Sequence, residues 1–110
     1  MEGILNQALR ALSDPTRRQI LRMLANREHS AGELASHFSM SRPAVSQHLS
    51  ALLRANLVQV RSKSQQRLYR IHENGMETVF DQVEQFWEQV FEPASEDKPE
   101  HIAANTEGPD

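Results

Sequence analysis

The chain has 110 residues and a formal net charge of −3, and 38% of its residues are hydrophobic. This length and composition fit one small globular domain and argue against two separate cores. The sequence contains no cysteine, which excludes disulfides, thiolate metal ligands and thiol redox chemistry. No segment approaches the about 20 apolar residues of a membrane span, and the N-terminus lacks a signal-peptide pattern, so we expect a cytoplasmic protein with no membrane partner.

Charge is distributed unevenly along the sequence. Between Leu34 and His72 there is no acidic residue, although six basic residues fall in this stretch. From Glu73 to Asp110 acidic residues predominate, and Lys98 is the single basic residue. The first stretch could contact the phosphates of a nucleic acid, whereas the second would be repelled by them and should face elsewhere.

The first part of the sequence predicts two helices. Apolar residues from Ile4 to Leu12 recur with helical spacing, which predicts a first helix that ends near Ser13. Asp14 followed by Pro15 is typical of the N-cap and first position of a second helix. We expect that helix to bury one apolar side and to turn its arginines largely outward: Ile20, Leu21 and Leu24 inward, and Arg17, Arg18 and Arg22 outward.

Two further helices are predicted around a three-residue break at 39–41. Ser30 with Glu33 forms a candidate capping box that opens a short third helix, from Ala31 to Phe38. Ser41 can cap a fourth helix that runs to about Ala55. The apolar stripe of this fourth helix should pack into the core, and it consists of Val45, Leu49, Leu52 and Leu53.

A β-hairpin is predicted after the fourth helix. Asn56 stands where a helix often ends in the left-handed conformation, which asparagine tolerates. Segments 57–61 and 67–71 are typical of strands, and they flank the polar segment 62–66. We therefore expect two strands joined by a five-residue loop.

The last predicted element is a long helix with an extended apolar stripe. It should begin at an N-cap, Asn74, continue to about Glu92 and stop at Pro93. The rest of the chain is rich in proline, glutamate, alanine and asparagine and has little to bury. This divides the chain into one folded domain, 1–92, and an acidic disordered tail, 93–110.

The order of these elements, α-α-α-α-β-β-α, predicts a mostly α-helical fold with a small β-hairpin, the winged helix-turn-helix. An α-helix fits the major groove of B-DNA, so the fourth helix should read bases with its polar N-terminal half. The basic hairpin would then contact phosphates. The predicted DNA-binding residues are Ser41, Arg42, Ser46, Gln47 and His48 on the helix, and Arg61, Lys63 and Arg67 on the hairpin.

The side chains of the fourth helix suggest individual roles. Arginine pairs with guanine and glutamine with adenine, so Arg42 and Gln47 are the candidate base readers. Ser41 and Ser46 suit phosphate contact, and His48 is either a partly buried histidine or a further phosphate contact. Each charge taken alone could simply be a solvated surface group. A polar helix start followed by a basic hairpin, with no acid between them, favours DNA.

Segments 11–21 (ALSDPTRRQIL) and 41–52 (SRPAVSQHLSAL) resemble the opening signature and recognition helix of the ArsR/SmtB family of regulators. Leu57 and Val58, which lead into the hairpin, are similar to the start of that family's wing. The resemblance extends from about 5 to 87. It implies a homodimer, operator DNA as partner, and repression relieved by an effector.

The sequence departs from the metal-sensing members of that family. Its third helix has no cysteine, and its last helix has no histidine. No metal site and no cofactor are therefore predicted, and the effector is unknown. His29, Glu33 and His37 have a spacing that could hold zinc or nickel on a continuous helix, but Ser30 as N-cap leaves His29 outside it.

The apolar residues of the terminal helices exceed what so small a domain can cover. This predicts a symmetric dimer, which would also place two recognition helices about one turn of DNA apart. The predicted interface residues are Leu5 and Leu9 of the first helix, and Phe80, Phe86 and Trp87 of the last.

The function predicted from these features is sequence-specific transcriptional regulation, as a homodimeric repressor on an inverted-repeat operator of double-stranded DNA. The sequence contains no signature of an enzyme. Two alternatives remain open: a winged-helix module that binds another protein, and a repressor that responds to metal through histidine and carboxylate ligands.

Overall fold

The structure is a computed structural model that describes residues 2–91. Its five helices and three-stranded antiparallel sheet form the predicted winged helix-turn-helix fold. Among these residues, no helix is long and apolar enough to cross a membrane. The elements are α1 (Glu2–Leu12), α2 (Pro15–Asn26), β1 (His29–Ser30), α3 (Ala31–Phe38), α4 (Arg42–Arg54), β2 (Val58–Lys63), β3 (Gln66–Ile71) and α5 (Glu73–Phe91).

The starts of α2, α3 and α4 follow the predicted caps. Asp14 caps α2 through its side chain. Ser30 and Glu33 form the complete capping box: the Ser30 hydroxyl accepts the Glu33 N–H at 3.1 Å, and the Glu33 carboxylate accepts the Ser30 N–H at 2.9 Å. The Ser41 hydroxyl accepts the Ala44 N–H at 3.2 Å and so begins α4. The two helices of the helix-turn-helix pair therefore have fixed starting points.

The core lies mainly between α4 and the helices before it. The stripe predicted on α4 is buried except for Leu53, which is half-buried at its edge. On α2, Ile20, Leu21 and Leu24 are buried as expected. Residues up to Val79 form one compact unit, and the part of α5 from Phe80 onward belongs to a second unit.

The sheet differs from the prediction in two respects. A third strand, β1, pairs with β3, so the strand order is β1-β3-β2. The hairpin strands also extend further than predicted, up to Lys63 opposite Gln66. The connection is therefore a turn of Ser64 and Gln65 rather than a five-residue loop, and Ser64 takes a left-handed φ of 57°. The polar residues at the ends of these strands continue the pairing because both faces of the hairpin are exposed to solvent there, so no apolar pattern is needed.

The start of α5 packs closely against the end of α4. Asn56 has a φ of 63°, which confirms the predicted left-handed residue. The Nδ1 atom of His72 donates to Asn56 Oδ1 at 2.9 Å, and the His72 N–H donates to the Leu57 carbonyl at 3.0 Å. A Cβ atom built on Gly75 would lie 1.7 Å from the Asn56 carbonyl oxygen. Only glycine permits this approach.

The predicted N-cap of the last helix is wrong. The helix α5 begins at Glu73, so Asn74 lies within its first turn. The physical reason is the anchoring of His72 by Asn56, which lets the His72 carbonyl accept the first helical hydrogen bond. The predicted stop at Pro93 and the predicted tail lie outside the described residues.

We predict that Gly75→Ala lowers the free energy of unfolding by about 1–3 kcal/mol or more, because the new methyl group would overlap the Asn56 carbonyl. The matched control is Gly3→Ala, since a Cβ there has no neighbour within 4 Å. Both glycines lie in helices, where alanine is intrinsically favoured. Urea denaturation should show a lower midpoint for Gly75→Ala alone; equal midpoints would contradict the packing described here.

Candidate nucleic-acid interface

The helix α4 presents a polar face to solvent because its opposite face is anchored in the core. Ser41, Arg42, Ser46 and Gln47 are all exposed, as the DNA-binding prediction requires. The buried stripe on the other side fixes the rotation of the helix about its axis. A helix with this anchoring can insert its polar face into a groove without losing core contacts.

The N-terminus of α4 offers few free amide donors to a phosphate. Pro43 has no N–H, and the Ala44 N–H is already bonded to Ser41. The Ser41 hydroxyl accepts that bond and retains its own hydrogen for donation. The hydroxyl, rather than a set of unpaired amides, is the group that this helix start presents to a phosphate.

A groove of about 430 Å³ separates the helix-turn-helix from the hairpin. Arg42 and Ser46 line it on one side, and Arg67 and Tyr69 line it on the other. A Cβ on Gly32 would lie 3.6 Å from Arg42 Nη1, so the guanidinium group rests against the first turn of α3. No acidic residue lines this groove. Two guanidinium groups without a carboxylate favour an anionic occupant.

The three predicted basic residues of the hairpin lie on different faces of the sheet. Arg67 pairs in register with Ser62, whereas Arg61 and Lys63 alternate to the other face. Arg61 is bound by Glu28 through two hydrogen bonds of 2.8 Å, and the bond from Arg61 lowers the pKa of Glu28. This ion pair offsets the charge of Arg61 in the free protein, which favours Lys63 and Arg67 over Arg61 as phosphate contacts.

The side chain of Arg17 does not point into solvent as predicted. It was expected to point outward, but it is half-buried, and its Nε donates to the Ala11 carbonyl at 2.7 Å. Its Nη2 donates to the Arg10 carbonyl at 3.1 Å, and its Nη1 lies 3.4 Å from His48 Nδ1. No local pattern could reveal the last contact, because it joins residues 31 positions apart.

The carboxylates that cap α2 and α3 both have lowered pKa values. For Asp14, burial opposes ionisation and raises the pKa, but the N–H groups at the start of α2 and the nearby charge of Arg17 outweigh it. For Glu33, the N–H of Ser30 is the main cause of the lower pKa. Both caps are therefore ionised at neutral pH, and the helix starts keep their hydrogen bonds.

The candidate metal ligands do not converge. His29 lies in β1, and its Nδ1 is 3.7 Å from Glu33 Oε1. His37 is exposed, and its ring meets the Phe38 ring edge-on at 5.0 Å. Within residues 2–91, no group of three or more histidine, cysteine or acidic side chains could hold a metal ion.

The terminal helices expose apolar side chains, although the predicted residues differ among themselves. On α1, Leu9 is 50% exposed, whereas Leu5 is only 7% exposed and needs no second copy to cover it. In the part of α5 from Phe80 onward, Phe80 is 64% exposed and Phe86 is 47% exposed. Trp87 is half-buried, with its ring 4.8 Å from that of Phe91.

Comparison with known sequences gives consistent matches. The sequence pattern described as "Bacterial regulatory protein, arsR family" matches residues 14–60. The HTH-type transcriptional regulator Rv2034 of Mycobacterium tuberculosis is 40% identical over 82 residues, which cover 74% of this chain and 77% of that protein. The transcriptional repressor SdpR of Bacillus subtilis is 38% identical over 68 residues, which cover 62% of this chain and 76% of that protein.

Comparison with solved structures agrees. The solution structure of Mb0332 from Mycobacterium bovis is described as a homodimeric winged helix-turn-helix DNA-binding domain. It matches with a TM-score of 0.65 at 29% sequence identity, and the match covers 74% of this chain and 77% of that chain. The matched pattern includes α2, α3 and α4, which carry most of the site described above.

We predict that zinc and nickel show no saturable binding at low micromolar concentration, because residues 2–91 contain no group of three or more side chains that could hold the metal. Equilibrium dialysis of the wild type against His37→Ala measures this. Saturable binding by the wild type that the substitution abolishes would show that these residues form a metal site.

Proposed function

We propose that this chain, which belongs to the arsR family of bacterial regulatory proteins, represses transcription by binding operator DNA as a homodimer. The observation that carries the proposal is the exposed polar face of α4 beside a groove lined by Arg42 and Arg67 and by no acid. Proteins of this family are regulators of transcription and not enzymes. The name of the relative SdpR, a transcriptional repressor, supports the repressor role.

The polar face of α4 divides into two sides around Ser46. Arg42 and Ser46 line the groove beside the hairpin, whereas Ser46 and Gln47 line a second groove beside Arg17. With α4 in the major groove, Ser46 lies at the centre of the face, and Arg42 and Gln47 reach bases on either side of it.

The hairpin supplies phosphate contacts in this proposal. Arg67 shares a groove with Arg42, and Lys63 is exposed beside the turn. A DNA backbone beside the major groove would pass between α4 and the face of the hairpin that carries Arg67, and Arg67 would neutralise a phosphate there. Lys63 lies on the other face and would reach the backbone from the tip of the hairpin, beside the turn. Glu28 already neutralises Arg61, which therefore contributes nothing to this contact.

A homodimer accounts for the exposed apolar side chains. Leu9 on α1, and Phe80, Phe86 and Val90 on the later part of α5, are about half-exposed or more in the single chain. Exposure of apolar side chains of this size to water is unfavourable. In a symmetric dimer, the same patch of each protomer would be buried against the other protomer. The homodimeric description of Mb0332 supports this assembly.

Sequencing of the genomic fragments that the purified protein retains tests the proposed function. We expect enrichment of a small set of fragments that share an inverted repeat, since each protomer reads one half-site. Retention of fragments in proportion to their length alone, or no retention, would contradict sequence-specific regulation.

We predict that Arg42→Ala and Gln47→Ala each reduce affinity for the enriched operator by about 1–3 kcal/mol and change affinity for random DNA little, because base contacts carry the discrimination. Fluorescence anisotropy with both DNAs measures the two affinities. An equal loss on both would show that these side chains contact only the backbone.

Lys63→Ala and Arg67→Ala should instead weaken binding to all sequences. Each should also reduce the slope of the logarithm of the binding constant against the logarithm of salt concentration by about one unit, because one phosphate contact is lost. The control is Arg61→Ala, on the same hairpin but ion-paired with Glu28, which should leave the slope unchanged. A slope unchanged by all three substitutions would remove the hairpin from the interface.

We predict that Phe86→Glu dissociates the dimer, because Phe86 is already exposed in one chain and a charge there is costly only where a second copy covers it. Light scattering should give about twice the 12.6 kDa of one chain for the wild type and for the control Gln85→Glu. A wild-type mass near that of one chain, with operator binding intact, would contradict the dimer.

A further inference from the structure

The guanidinium group of Arg17, on α2, connects the end of α1 with α4. Two of its nitrogens donate to the carbonyls of Arg10 and Ala11, at the end of α1. The third lies 3.4 Å from Nδ1 of His48, on α4. Because the first two bonds fix the plane of the group, the third nitrogen has a defined direction toward the recognition helix.

The contact with Arg17 determines which nitrogen of His48 carries the hydrogen. A guanidinium group has five N–H donors and no acceptor. Nδ1 of His48 must therefore accept, and the hydrogen of the neutral ring is on Nε2. The nitrogen on the far edge of the ring is thus a hydrogen-bond donor.

His48 lines a groove of about 490 Å³ between α2 and α4. Arg17 and Arg54 contribute positive charge to its lining, Ser50 contributes a hydroxyl group, and no acidic residue lines it. The exposed readers Ser46 and Gln47 also border this groove. An anion here would lie beside the face of α4 that reads DNA, on the side away from the hairpin.

We propose that Arg17 is a positioning residue that fixes His48 as an Nε2–H donor to a DNA phosphate in this groove, with Arg54 as the second cation. The inference rests on the proposed function, since it assumes that α4 enters the major groove. It assigns a phosphate contact on each side of α4: one at Arg67 on the hairpin side, and one at His48 and Arg54 on the other side.

A double-mutant cycle with the enriched operator tests the proposal. Arg17→Lys keeps the charge but loses the fixed fork of donors, so affinity should fall about tenfold when position 48 is histidine. His48→Gln supplies a side-chain N–H at a similar distance from the backbone and has no tautomer to fix. In that background Arg17→Lys should change affinity by less than about twofold.

Two further measurements complete the test. Arg22→Lys, an exposed arginine on the same helix that bonds only locally to Gln19, should leave affinity unchanged. Nitrogen-15 NMR of the free wild-type protein should show the Nε2–H tautomer of His48, without any dependence on DNA. An Nδ1–H tautomer overturns the positioning role, whatever the variants do.

The outcomes separate this inference from the proposed function. Equal losses for Arg17→Lys in the two backgrounds, with wild-type operator binding intact, would show a general structural role and overturn the inference alone. Failure of the wild-type protein to select any DNA overturns the proposed function and the inference with it. Coupling between the two positions, together with the Nε2–H tautomer, supports both.

Discussion

The pairing of the two-residue strand β1 with β3 is the contact on which the candidate interface depends. Ser30 pairs opposite Leu68 and also caps α3, so one residue joins the hairpin to the helix-turn-helix. This connection sets the distance between Arg67 on the hairpin and Arg42 on α4, which line one groove. Without it, the hairpin would still pack on the core through Val58 and Tyr69, but it would lose its link to the start of α3.

The same pairing gives the two arginines of the hairpin, Arg61 and Arg67, different neighbours on the two faces of the sheet. Pairing of β1 brings the chain around Glu28 to the face of the sheet that carries Arg61, and the two side chains neutralise each other. Arg67 alternates to the other face and keeps its charge beside α4. A net charge of −3 is therefore compatible with the proposed DNA binding, because Arg42 and Arg67 line a groove that no acidic residue lines.

Features set by neighbours in sequence could be predicted, and features set by distant residues could not. The capping box at Ser30 and the left-handed Asn56 were predicted correctly because each depends on a few adjacent residues. The strand β1 was missed because two residues give no periodicity, and its partner lies far along the chain. The contacts of Arg17 with His48 and of Arg61 with Glu28 span 31 and 33 positions, so both arginines were assigned to solvent or DNA by default.

The central claim is that α4, together with the hairpin side that carries Arg67, meets DNA. The most direct test is an NMR titration of the labelled protein with its operator, followed at the backbone amides. We predict that the largest shifts occur from 41 to 50 and around the turn at 64–65, while the amides near the Glu28–Arg61 ion pair change little. Shifts confined to that ion pair or to α5, with α4 unaffected, would contradict the account.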